Sequence, residues 1–143
     1  LPAMIAAAQD VRSRLSTLFT VDTLDYLYRG GRIGGATRFL GTALQLKPLL
    51  QVDSVSGRVD AVERIRSRKR ALQRVIEATF ERVSAARPLH VAVIHAGADE
   101  DAQLLHDQVL EQYQPQELII SCMGPVLGIH GGPGLAGMAV YSD

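Results

Sequence analysis

The sequence predicts an α/β fold with a mixed sheet, on three observations. Apolar runs of strand length stand at residues 18–21, 89–94 and 117–123. Helical spacing is best developed between residues 67 and 83, where Leu72, Val75, Ile76, Thr79, Phe80 and Val83 recur at i, i+3 and i+4. Residues 46–52 and 58–65 flank the turn residues 54–57 and read as a hairpin, which puts an antiparallel pair in the sheet. At 143 residues the chain has the length of one domain.

The elements follow in order. Met4, Ile5, Ala8, Val11 and Leu15 give residues 1–15 a helical period. Residues 18–21 then read as a strand. Asp22 or Thr23 is positioned to cap a helix carrying Leu24, Leu27 and Tyr28, which Gly30 and Gly31 stop. A short helix is expected over 36–44, with Phe39, Leu40 and Ala43 on one face. Pro48 demotes 46–52 from an unbroken central strand. Ser67 caps the strongest helix, with Arg70, Arg74, Glu77 and Glu81 on its wet face, and Pro88 marks the exit. Residues 89–94 read as a strand buried on both faces. The acidic triplet Asp99, Glu100, Asp101 opens a helix that Pro115 ends. Residues 117–123 read as a second buried strand, which places Cys122 as a buried, inert thiol. A glycine-rich tail leads to a last strand at 138–141.

With 47% hydrophobic and 21% charged residues the composition is globular, and without Trp the core must be mostly Leu, Val, Ile and Ala. The single cysteine allows no internal disulfide, so a reducing, cytoplasmic setting is the expectation. No apolar stretch approaches the roughly 20 residues of a membrane helix. Formal net charge is zero, yet residues 1–87 carry +7 and residues 88–143 carry −7. Either the halves neutralise each other or a basic face awaits an anionic ligand or acidic partner.

Two segments carry chemistry. Gly30-Gly31-Arg32-Ile33-Gly34-Gly35 and His130-Gly131-Gly132-Pro133-Gly134 each join glycines, which let backbone approach a ligand, to a side chain able to hold an anion. The first lacks Walker and dinucleotide spacing, and a plain helix stop with a surface arginine explains it equally well. The second resembles an esterase oxyanion loop, but no G-x-S-x-G elbow is present. His90, His95, His106 and His130 lack metal-ligand spacing, so no metal is expected. The dense run Arg64-Ile65-Arg66-Ser67-Arg68-Lys69-Arg70 is a solvated face, a docking surface or a nucleic-acid contact.

Taken in order, these segments resemble the DegV family of fatty-acid-binding proteins. Residues 24–33 (LDYLYRGGRI) are similar to its L-x-Y-L-x-x-G-G-R-I segment, and residues 41–48 (GTALQLKP) to its L-G-x-L-L-x-I-K-P. Arg66-Ser67-Arg68-Lys69-Arg70-Ala71-Leu72 is similar to R-x-R-K-K-A-L. His95-Ala96-Gly97 and residues 124–134 (GPVLGIHGGPG) are similar to H-A-G and G-P-V-I-G-x-H-x-G-P-G.

The resemblance implies a two-layer domain with helices mainly on one face of the sheet. It implies residues 1–17 as the end of a linker helix from an absent N-terminal domain, and 18–143 as a C-terminal fatty-acid-binding domain. The long-chain fatty acid is then the ligand, without a cofactor or catalytic residue. Its tail lies in the domain core and its carboxylate near the interface, where the absent domain supplies hydroxyls. His130 and Arg32 are the expected head-group supports, with Gly31 beside them; Ile33, Phe39, Leu40 and Leu44 are the expected tail contacts. Lys47 is expected to brace the glycine loop. Some family members present the lipid to a kinase that forms an acyl phosphate for phospholipid synthesis, and Arg66, Arg68, Lys69 and Arg70 are the expected kinase contact. Two other readings stay open: a hydrolase pairing His130 with Ser121, and a nucleic-acid or acidic-partner module using residues 64–70.

Overall fold

The structure, a computed structural model, describes residues 1–41 and 46–143. Its frame is a six-stranded mixed sheet in the order β3-β2-β1-β6-β4-β5. The strands are β1 Ser16–Thr20, β2 Leu49–Val52, β3 Val59–Glu63, β4 Leu89–Ala96, β5 Glu117–Cys122 and β6 Leu135–Ser142. Every neighbouring pair is antiparallel except β4 with β5. The helices are α1 Pro2–Arg14, α2 Asp25–Arg29, α3 Arg68–Phe80, α4 Asp99–Tyr113 and α5 Pro125–Gly131, with a 3-10 helix at Gly34–Phe39.

One face of the sheet carries the main core. The α3 stripe Ala71, Leu72, Val75 and Ile76 and the α4 residues Ala102, Leu105 and Val109 close over Leu18, Leu49, Val91, Val93, Met138 and Val140. The period of 3.6 on the helices meets the period of 2 on the strands, which is the geometry that buries both apolar sides. Ser67 caps α3, accepting from the Arg70 N–H at 3.3 Å. Gln114, in the left-handed region at φ 46°, ends α4 just before Pro115. The opposite face is covered over only part of its area. There Phe19, Leu50, Ala61 and Leu135 pack under Leu27 of α2 and under Ile33, Ala36 and Phe39 of the 3-10 segment. The two long central helices thus share one face, and short segments occupy the other.

Several boundaries differ from the sequence reading. The helix expected over 36–44 is a 3-10 helix at Gly34–Phe39, while Ala43 and Leu44 lie outside the described residues. Leu24, not Asp22 or Thr23, is the N-cap of α2, and Thr23 Oγ1 accepts from Asp25 N–H at 3.2 Å in a local turn. The tail after β5 contains a helix, α5, with Pro at its start; two glycines within its seven residues hide its period. β5 is not a buried strand. It lies at the sheet edge, with Ile119 and Ile120 49% and 40% exposed, and Cys122 is exposed. An apolar run reads the same at an edge as at a centre, because periodicity does not encode how many neighbours a strand has. No residue of α1 is buried, and the helix touches the sheet through Arg14, whose guanidinium sits 5.7 Å from the Tyr141 ring centre. Among the described residues, no helix is long and apolar enough to cross a membrane.

On the α3 flank, Arg74 gathers three carboxylates: Glu63 on β3 at 3.0 Å, Glu77 at 2.7 Å and Glu81 at 3.1 Å. Hydrogen bonds from Arg74 hold the Glu63 and Glu77 carboxyls below their ordinary value of 4.5. Groups depressed in this way stabilise the fold fully above pH 4.5, and the contribution is lost as pH falls through their folded values. Arg74→Ala is expected to lower Tm by roughly 3–6 °C at pH 7. Thermal melts at pH 7 and pH 3 should show that gap closing in acid; an equal gap at both would assign Arg74 to packing instead of charge.

Candidate functional site

The uncovered part of the second sheet face forms an apolar groove of about 670 Å³. Its floor is the sheet. Phe19 on β1 registers with Gly137 on β6, which registers with Ile94 on β4. One step along, Thr17 registers with Ala139 and Ala139 with Ala92. Walls come from Leu27 of α2, Val52 and Val59 of the β2–β3 hairpin, and Met123, Leu127 and Leu135 around α5. The polar groups on the lining are Thr17, Arg32, Arg58 and His130.

Gly30 to Arg32 close α2 with paired backbone bonds. The Arg32 N–H donates to Leu27 O at 2.8 Å and the Gly31 N–H to Tyr28 O at 3.0 Å, with Gly31 at φ +67°. This is the Schellman arrangement, and only glycine adopts that φ without strain. It delivers Arg32 to the groove edge, where Nη1 donates to Gly30 O at 3.1 Å. That carbonyl occupies one of five guanidinium N–H groups, leaving capacity for a planar anion.

His130 sits in the last turn of α5 with its imidazole against Gly30. A Cβ on Gly30 would lie 2.1 Å from His130 Nδ1, so the contact requires glycine. Nδ1 faces Gly30, buried there and without a hydrogen-bond partner among the described residues. Arg32 and His130, about a hundred residues apart in the chain, therefore meet around one glycine on one groove.

The groove thus brings together Gly31, Arg32 and His130 of the residues expected from the sequence. It does not bring in the expected tail contacts. Ile33 and Phe39 are buried in the core behind the wall, Leu40 is 38% exposed away from the groove, and Leu44 lies outside the described residues. Lys47 does not brace the glycine loop; its Nζ holds Asp22 Oδ1 at 2.8 Å. Phe19 and Ile94 were missed because a strand's two faces look alike until the helices are placed. The alternation of Leu18 with Phe19 and of Val93 with Ile94 is the signal that carries them.

The basic run divides by role. Arg66, Lys69 and Arg70 are exposed, with Arg70 paired to Glu77 at 3.3 Å. Arg64 lies over the Phe39 ring at 5.0 Å. Arg68 turns inward to Asp101 at 2.7 Å and to the Gly134 carbonyl at 2.6 Å, which removes it from the expected docking surface. Ser121 stands on β5 outside the groove lining that holds His130.

Comparison with known proteins agrees with this architecture. A DegV domain-containing protein of Streptomyces coelicolor is 40% identical over 96% of this chain and 48% of its own length. Protein DegV of Bacillus subtilis is 34% identical over 94% of this chain and 47% of its own length. The chain therefore spans about half the length of the curated relatives it matches. Among solved structures, a Thermus thermophilus DegV family protein, described for its fatty acid binding, superposes with a TM-score of 0.90 at 34% identity, over 100% of this chain and 51% of that one. Bacillus subtilis DegV, described as a fatty acid binding protein, superposes at 0.82 and 32% identity over 99% and 50%. The family described as "Uncharacterised protein, DegV family" matches residues 1–143, and the chain belongs to it.

Proposed function

We propose that this chain holds the hydrocarbon tail of a long-chain fatty acid in the groove between α2, α5 and the β2–β3 hairpin. The observation that carries the proposal is an apolar groove with two anion-holding side chains, Arg32 and His130, converging on Gly30. Transfer of each methylene from water to such a surface gains about 0.8 kcal/mol, so a C16 tail supplies ample affinity. The carboxylate must remain hydrogen-bonded, since an unpaired buried charge is costly. Arg32 offers a planar fork and His130 a second donor. The fatty acid binding described for the Thermus and Bacillus relatives supports this reading.

Further hydroxyl contacts to the head group come from a preceding N-terminal domain, joined through α1. The twofold length of the relatives supports this division, as does α1, which buries none of its residues. The protein acts in the cytoplasm as a carrier without catalytic residues and presents its lipid to a kinase that forms an acyl phosphate for phospholipid synthesis. Arg66, Lys69 and Arg70, exposed at the start of α3, form the kinase contact.

An organic extract of the purified full-length protein, read by mass spectrometry, is expected to contain C14–C18 fatty acid in stoichiometric amount; lipid-free protein would overturn the carrier reading. The same extract from residues 1–143 alone shows whether these residues suffice to hold the tail. Arg32→Gln and His130→Gln are each expected to weaken palmitate binding about 10- to 100-fold. The charge reversals Arg66→Glu and Lys69→Glu are expected to slow acyl-phosphate formation while leaving lipid content unchanged. Unaltered turnover in a reconstituted kinase assay would remove the docking surface.

A further inference from the structure

Arg68 is the first residue of α3, yet its side chain leaves the basic surface and reaches the turn that follows α5. Its Nε and Nη2 both donate to Asp101 Oδ2, at 2.9 and 2.7 Å, and Nη2 also donates to Gly134 O at 2.6 Å. Nη1 is buried and points to Asp22, 3.7 Å away. Asp22 is itself held by Lys47 at 2.8 Å. One guanidinium thus joins the starts of α3 and α4, the segment before α2 and the turn after His130.

That turn has few means of fixing itself. Gly132 and Gly134 lie at φ +77° and +85°, and Pro133 between them has no N–H to donate. Neither glycine has space for a Cβ. One on Gly132 would fall 2.3 Å from the Tyr26 ring, and one on Gly134 would fall 2.2 Å from Asp22 Oδ2. Its local bonds are the Gly132 N–H on Gly128 O at 2.8 Å and the Leu135 N–H on Gly132 O at 3.4 Å; from outside it is held by the Gly134 N–H on Ala96 O at 2.8 Å and by Arg68 on the Gly134 carbonyl.

We propose that Arg68 is a positioning residue for His130: oriented by Asp101, its fork sets the Gly132–Gly134 turn and, through it, the last turn of α5 where His130 meets the groove. The consequence for ligand affinity rests on the fatty-acid reading above. A lysine cannot replace the fork, because a point charge paired with Asp101 does not also hold the Gly134 carbonyl in fixed geometry.

The test uses the full-length protein with Arg68→Gln and Arg68→Lys, each alone and combined with His130→Gln. Backbone amide spectra report position without any ligand. Both variants should shift the Gly132, Gly134 and His130 signals, and shifts confined to α3 and α4 overturn the proposal. Palmitate titration reports function. Arg68→Lys, which keeps the charge opposite Asp101 and so the fold, is expected to weaken binding about tenfold with native His130 and less than twofold with His130→Gln. An equal loss in both backgrounds is the mark of general destabilisation and overturns the link to His130. If the wild-type protein binds no palmitate, the carrier reading falls, and the amide shifts alone decide the positioning role.

Discussion

The groove depends on an asymmetry in β6, the strand that lies between β1 and β4 at the middle of the sheet. Toward α3 and α4 it presents Ala136, Met138 and Val140, all fully buried. Toward the groove it presents Leu135, Gly137 and Ala139. Gly137 has no alternative, because a Cβ there would lie 2.4 Å from both Leu18 O and Phe19 Cβ. The neighbouring Ala92 and Ala139 continue the low floor across the sheet. Met138 and Val140 knit the core on one face at interior density. Gly137 and Ala139 on the other leave room that short helices only partly cover.

Glycine governs the rim as well, for a different reason. α2 and α5 approach so closely that Gly30 lies on the His130 ring and Gly132 lies on the Tyr26 ring, each at a distance no Cβ could share. Contacts this close fix side chains that lack partners of their own. His130 is oriented by packing, and its Nδ1 stays unsatisfied in a site where burial makes such a group costly. The His130 ring is thereby held at the groove rim against the end of α2.

Much of this was legible in the sequence. The α3 stripe, its Ser67 cap, the β2–β3 hairpin and the acidic start of α4 follow from local periodicity and capping, which a single segment contains. Arg32 and His130 stood out in the sequence as side chains able to hold an anion beside glycines that let backbone approach closely. The groove floor was not. Which of Leu18 and Phe19 faces the long helices is a tertiary fact, and Ile33 and Phe39, apolar and near the motif, fell behind the wall. The burial of Arg68 was equally hidden, since its partner Asp101 lies across the α3–α4 junction and a run of five basic residues within seven positions reads as uniformly solvated.

The division of charge along the chain acquires a meaning once partners are assigned. Arg74 is surrounded by Glu63, Glu77 and Glu81, and Arg68 is matched by Asp101 with Asp22 nearby. These cations are neutralised inside the fold and hold elements together. Arg32 differs: among the described residues its guanidinium contacts a carbonyl oxygen and no carboxylate. A cation saturated by acids has little left for an incoming anion, whereas one resting on a single neutral acceptor keeps most of its field. Arg74 and Arg68 are thus tied to carboxylates within the fold, while Arg32 at the groove rests on a single carbonyl.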